Sequence, residues 1–87
     1  RDFPDFALAY DSLAVSLSKS GRAREAVPFH EKAISLAPGD PSFYFNYSLT
    51  CLMLGDVKRA QEQQQKLRAL DPAMAERLAI MIAKRQR

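Results

Sequence analysis

The residues able to carry covalent, acid–base or metal chemistry are few. The 87-residue chain has one histidine, His30, and one cysteine, Cys51. Catalysis needs a nucleophile beside a base, or a metal with an orienting shell. His30 and Cys51 lie far apart in sequence, and Cys51 falls at a helix-interior position that suits a small buried hydrophobe. His30 has no partner at metal-ligand spacing and suits a local structural role. Gly21, Gly39 and Gly55 are isolated turn residues and form no phosphate-cradling loop. No enzymatic activity, cofactor or metal is therefore expected. A lone cysteine also excludes an internal disulfide framework.

Charge and hydropathy narrow the classes further. Hydrophobic residues make up 47% of the chain and charged residues 26%, the balance of an ordinary globular protein. The longest apolar run, Leu78 to Ala83, is far too short to span a bilayer. The net charge is +3, and residues 75–87 carry four bases and one acid, so the excess belongs to the last thirteen residues. A nucleic-acid domain spreads its bases over one face of the fold; here the body is neutral. Lys84-Arg85-Gln86-Arg87 reads as a solvated tail near a helix C-terminus, and nucleic acid is not an expected partner. The start at Arg1 instead of Met suggests an excised or processed segment. No residue pattern names the compartment; a cytoplasmic one is favoured.

Positioning elements emerge from self-comparison. Pro4, Pro38 and Pro72 recur every 34 residues, and Gly21/Gly55, Ala26/Ala60, Leu36/Leu70, Lys32/Lys66 and Tyr10/Tyr44 keep the same spacing without a gap. Within a repeat, Phe6, Ala9, Tyr10, Leu13, Ala14 and Leu17 follow the helical apolar period up to Gly21. Ala26, Val27, Phe29, His30, Ala33, Ile34 and Leu36 repeat it up to Pro38-Gly39. Asp40-Pro41, Asp56 and Asp71-Pro72 are helix start signals. The spacing predicts helices over 6–20, 23–37, 42–54, 57–70 and 73–84, with no strand. Pro28 falls inside the second, where a bend or a tightened first turn is expected. The fourth has a thin stripe, Val57, Ala60, Leu67 and Leu70, and its polar run Gln61 to Gln65 reads as solvated.

This register resembles the tetratricopeptide repeat, whose 34-residue helix–turn–helix unit carries an aromatic, a Leu, small residues and a closing Pro at fixed places. Tyr10, Leu13, Ala14, Leu17, Ala26, His30, Ala33 and Pro38 fill those places in residues 7–40. Tyr44, Tyr47, Ser48, Cys51, Ala60, Gln64, Leu67 and Pro72 fill them in residues 41–74. His30 and Gln64 depart from the usual aromatic, and Leu67 from a small residue. The resemblance implies an all-α, right-handed α-solenoid of five helices in antiparallel hairpins. Residues 1–6 would then be a remnant of a preceding repeat or a linker, and 75–87 a C-terminal capping helix with a basic tail.

The resemblance also implies a function: a non-enzymatic scaffold that holds a peptide or helix of a protein partner in a concave groove lined by the first helix of each hairpin. By register that groove would present Leu8, Asp11, Ser12, Val15, Ser18 and Lys19, then Ser42, Phe45, Asn46, Leu49, Leu52 and Met53. Asp11, Val15, Phe45, Asn46, Leu49, Leu52 and Met53 are the expected partner-binding residues. A carboxylate clamp, as chaperone-binding members use, is not expected: Asp11 and Val15 replace its first Lys and Asn, and Glu76 and Ile80 its last cations, so Asp11 would instead favour a cation. The alternative is self-association. The fifth helix has more apolar surface than one packing face needs, and Leu78, Ile80 and Met81 would pair two copies as a homodimer.

Overall fold

The computed structural model describes residues 4–85, and among them it contains five α-helices and no strand. They are α1 (Pro4–Lys19), α2 (Ala23–Leu36), α3 (Pro41–Met53), α4 (Val57–Leu70) and α5 (Pro72–Arg85). Their limits follow local chemistry. Asp40 Oδ1 accepts from the Ser42 amide at 3.0 Å with Pro41 at the first helical position. Asp56 and Asp71 cap α4 and α5 in the same way, accepting from the amides of Arg59 and Met74 at 3.1 Å. These bonds satisfy amide groups that a helix start leaves open.

The turns inside the two hairpins are built alike. After α1, Gly21 adopts φ 81° and the Arg22 amide reaches back to the Leu17 carbonyl at 2.8 Å. After α3, Gly55 adopts φ 80° and the Asp56 amide bonds the Cys51 carbonyl at 2.9 Å. A side chain resists that left-handed backbone, which is why glycine recurs there. The turn between hairpins is pinned differently: the Tyr44 hydroxyl donates to the Pro38 carbonyl at 2.7 Å.

Packing sorts the helices into two layers. The first helices touch in series, α1 with α3 and α3 with α5, while α2 sits against α1 and α3, and α4 against α3 and α5. The second helices α2 and α4 make no close backbone approach, although Glu31 and Ile34 of one and Arg59 and Gln63 of the other border one cavity. The array therefore closes up on the α1–α3–α5 side. Small residues mark the tightest crossings, as expected: Ala14, Ala26, Ser48 and Ala60 are fully buried. Close approach leaves no room for bulk, and the Ser48 hydroxyl is satisfied by the Ala60 carbonyl at 2.9 Å. The main core joins Tyr44, Tyr47, Cys51, Leu52, Leu67, Leu78 and Ile82 across α3, α4 and α5.

Residues 4–6 lie in the same helix as the first hairpin, and residues 1–3 lie outside the described residues. Helix α2 is α-helical from Ala23 to Leu36 with Pro28 inside it; Pro28 lacks the amide that would bond the Arg24 carbonyl, and both residues are exposed. Several side-chain expectations are corrected. In α4, Leu70 is exposed and Gln63 and Gln64 are buried. Ala60, Gln63, Gln64 and Leu67 form one helical arc under α5, and Gln64 donates to the Ala75 carbonyl at 3.3 Å. Position on the arc outweighs side-chain polarity once the amide finds a partner. Leu13 and Phe6, assigned to the α1 core face, are exposed.

Leu78, grouped above with Ile80 and Met81 as a pairing face, is fully buried against α3 and α4. A side chain locked in the core of one copy cannot cover another. Ile80 and Met81 remain exposed at 49% and 41%. Replacing Leu78 by Ala should cost about 2–5 kcal/mol, seen as a lowered urea midpoint, whereas Met81→Ala should stay within about 0.5 kcal/mol of the parent. Equal effects of the two changes would show that α5 does not pack in this orientation.

Candidate partner-binding site

Helix α3 carries most of the expected binding residues, and the structure divides them. Leu49, Leu52 and Met53 line a cleft of about 540 Å³ whose other wall is Met81, Lys84 and Arg85 of α5. Leu52 is its buried floor, Leu49 is half-buried, and Met53 is 50% exposed. Val15, Phe45, Asn46 and Asp11 do not line this cleft. Phe45 packs partly on the core, and Val15 is half-buried on α1.

Asp11 and Asn46 are engaged with each other. Asn46 Nδ2 donates to Asp11 Oδ2 at 3.1 Å, tying α3 to α1, and Asp11 is largely buried. That bond engages one oxygen of the carboxylate inside the fold; the other, Oδ1, is buried with no hydrogen-bond partner among the described residues. Ser18, also placed on the groove by register, is buried and shares a 2.7 Å hydrogen bond with Thr50.

Those contacts belong to a buried polar cluster that sequence reading missed. Thr50 Oγ1 lies 2.7 Å from His30 Nε2, and His30 Nδ1 faces Asp11 Oδ1 at 3.7 Å, beyond hydrogen-bond length. The His30 ring stacks on Tyr47 with centroids 5.4 Å apart. Hydroxyl, imidazole and carboxylate follow one another in the order of a catalytic triad. Yet His30 is 0% and Thr50 2% exposed, so no substrate reaches the hydroxyl. The cluster welds α1, α2 and α3 together. Thr50→Val keeps the shape but strips Ser18 and His30 of their shared partner, and should cost about 1–3 kcal/mol in thermal or urea unfolding. A neutral result would show that the cluster contributes nothing to holding the first hairpin.

The same comparison explains why the cleft exists. The polar pairs Ser18–Thr50 and Asp11–Asn46 close the α1/α3 junction. One repeat later, 34 residues on, the corresponding pairs are Leu52–Lys84 and Phe45–Ile80. Neither can form that hydrogen bond, and the cleft lies at the C-terminal end of this α3/α5 junction. Lys84 and Arg85 are thereby wall residues and not merely tail; their 34-residue spacing from Thr50 and Cys51 was the available signal.

No reactive side chain serves the site. Burial pushes the Cys51 thiol up to about 12, so almost none is thiolate near neutrality. Burial, aided by its 2.9 Å hydrogen bond to Glu31, also raises Tyr47 well above the ordinary phenol range. Among the described residues no group of three or more His, Cys, Asp or Glu is placed to hold a metal, and no helix is long and apolar enough to cross a membrane. Native protein at pH 8 should leave Cys51 unreactive toward a thiol-directed disulfide reagent for as long as it stays folded, with full reaction in denaturant. Prompt native reaction would contradict its burial.

Paired helices stacked in register, with an open apolar cleft between α3 and α5, have the build of a helical repeat module. The tetratricopeptide repeat family profile matches residues 31–62, from within α2 through α3 into α4. Over 64 residues the chain is 44% identical to TPR repeat-containing protein YpiA of Bacillus subtilis, covering 74% of this chain and 15% of that protein. Over 59 residues it is 36% identical to the peroxisomal targeting signal receptor of Candida albicans, covering 68% of this chain and 10% of that one. The chain belongs to the tetratricopeptide repeat family. It spans only a small part of the length of these relatives.

Proposed function

We propose that this chain is a non-enzymatic interaction scaffold that seats apolar side chains of a partner peptide or helix in the α3/α5 cleft. On this reading residues 7–40 and 41–74 are two tetratricopeptide units, and 75–87 closes them. The supporting observation is the cleft itself: exposed Met53 and Met81 face each other over half-buried Leu49 and a floor formed by the core residue Leu52. Such a patch on the inner layer of a helical array is a recurring docking mode for peptides and amphipathic helices. One relative is named a targeting signal receptor, in keeping with recognition of a short segment.

Magnitudes bound the affinity. Each large apolar side chain buried in the cleft contributes about 1.5–3 kcal/mol before the cost of ordering the partner. Two such anchors alone reach the millimolar range or slightly better. Useful affinity therefore needs further contacts beside the apolar floor.

The alternative reading, self-association through α5, draws support from the exposure of Ile80 and Met81. It is weakened by the burial of Leu78, and a two-fold pairing here would set Lys84 and Arg85 of one copy near those of the other. The two readings separate experimentally. The Met53→Ser/Met81→Ser double variant changes two exposed positions and should keep the melting temperature within a few degrees. It should weaken capture of Leu-rich amphipathic peptides in fluorescence anisotropy at least ~10-fold, about 1.4 kcal/mol. Sedimentation of the parent should show a monomer at all concentrations. A concentration-dependent dimer abolished by the same variant, with no peptide capture, would support assembly instead.

A further inference from the structure

We infer that the segment bound at this edge is acidic as well as apolar: bulky side chains on Met53 and Met81, and carboxylates held by Lys84 and Arg85 on one side and Arg24 on the other. The inference rests on the groove reading above and names the chemistry of its partner.

The geometry comes from two adjoining clefts. The first, described above, ends at Lys84 and Arg85 in the last turn of α5. The second, of about 500 Å³, lies beyond the end of α3 and is lined by Arg22, Arg24, Glu25 and Leu54 among others. Met53 belongs to both. One exposed apolar side chain is thus flanked by cations on either hand, along the edge where the first helices end.

The charges at that edge are not used within the fold, with one exception. Arg22 is committed to Glu25 at 2.6 Å, which cancels that pair. Lys84, Arg85 and Arg24 form no ion pair among the described residues, and no carboxylate lines the α3/α5 cleft. Cations in a last helical turn do favour the helix dipole, but that effect does not require an apolar cleft beside them. Nor does it account for Arg24, which lies in the first turn of α2, at the end where the dipole disfavours a cation.

Charge complementarity selects the occupant. A second copy of this chain docking isologously would bring the same cations together, and like-charge juxtaposition disfavours it. A neutral apolar peptide would leave three cations beside it without partners. An acidic amphipathic segment matches both the floor and the rim. Exposed pairs are individually weak, each giving roughly 1.5- to 5-fold in affinity, so three together give about 10-fold. They are also screened by salt.

Selection from a random 16-residue peptide library on the immobilised 87-residue chain at low salt tests this directly. The enriched peptides should combine Leu, Phe or Met with Asp and Glu. A representative peptide should bind about 10-fold more tightly than its Glu→Gln, Asp→Asn counterpart in anisotropy, the gap shrinking to less than about 3-fold at 0.5 M salt. Selection on the Lys84→Glu/Arg85→Glu variant should lose the acidic bias, and the preference of that variant for the acidic peptide over its neutral counterpart should vanish. Apolar enrichment with no acidic bias would overturn this inference and leave the groove reading standing. No enrichment over the Met53→Ser/Met81→Ser variant would overturn both. So would binding of phosphatidylserine vesicles or single-stranded RNA by the parent when no peptide is enriched, because the cations would then serve a different class of partner.

Discussion

Everything in this small array depends on α3, which must satisfy both hairpins at once. Seven of its thirteen residues are buried, an unusual load for a helix of that length in so thin a molecule. One side carries Tyr44, Tyr47, Ser48 and Cys51 into the core. Another sends Thr50 and Asn46 toward α1 and α2, where hydroxyl, amide, imidazole and carboxylate groups meet. Ser18, Thr50, His30 Nε2, Asn46 and Asp11 Oδ2 find partners there, whereas Asp11 Oδ1 and His30 Nδ1, 3.7 Å apart, have no hydrogen-bond partner among the described residues. The directional bonds that do form fix register in a way apolar contact does not. The first junction is thus closed by direction-dependent bonds and the second by apolar packing alone.

That asymmetry links structure to function. A repeat that kept Ser, Thr, Asp and Asn at both junctions would seal both. Here the second junction has Leu52, Phe45, Ile80 and Lys84 at the matching places, and it opens at one end. The core under the opening remains intact because Leu67, Leu78 and Ile82 fill the space between α3, α4 and α5. The cleft thus sits over that core, with exposed Met53 and Met81 at its mouth and Lys84 and Arg85 at its rim.

Much of this was legible in the residues. The 34-residue spacing, the Asp-Pro starts and the turn glycines located five helices to within about two residues, because caps and left-handed turns are local chemistry. The small residues at the crossings were legible for the same reason. Side-chain destinations were less so. Gln64 read as solvent-facing since nothing local reveals that α5 supplies a carbonyl, and Gln63 since nothing local reveals that it borders one cavity with Ile34 and Tyr47. Asp11 read as a free anion since its hydrogen-bond partner, Asn46, lies 35 residues away on another helix. Leu78 read as spare surface since an apolar helix does not declare which of its faces is covered. In each case a long-range partner decided the outcome, and periodicity supplies positions without partners.

The three methionines provide the sharpest check on the central claim that partner recognition occurs where α3 meets α5. Met53 and Met81 line the cleft, whereas Met74 packs against the core at the start of α5. Methyl-labelled methionine spectra recorded while titrating an acidic amphipathic peptide would report on all three at once. The account predicts that the Met53 and Met81 methyl signals shift together, saturating at the same peptide concentration, while Met74 stays in place. A titration in which Met74 moves, or in which binding occurs with Met53 and Met81 unmoved, would contradict it.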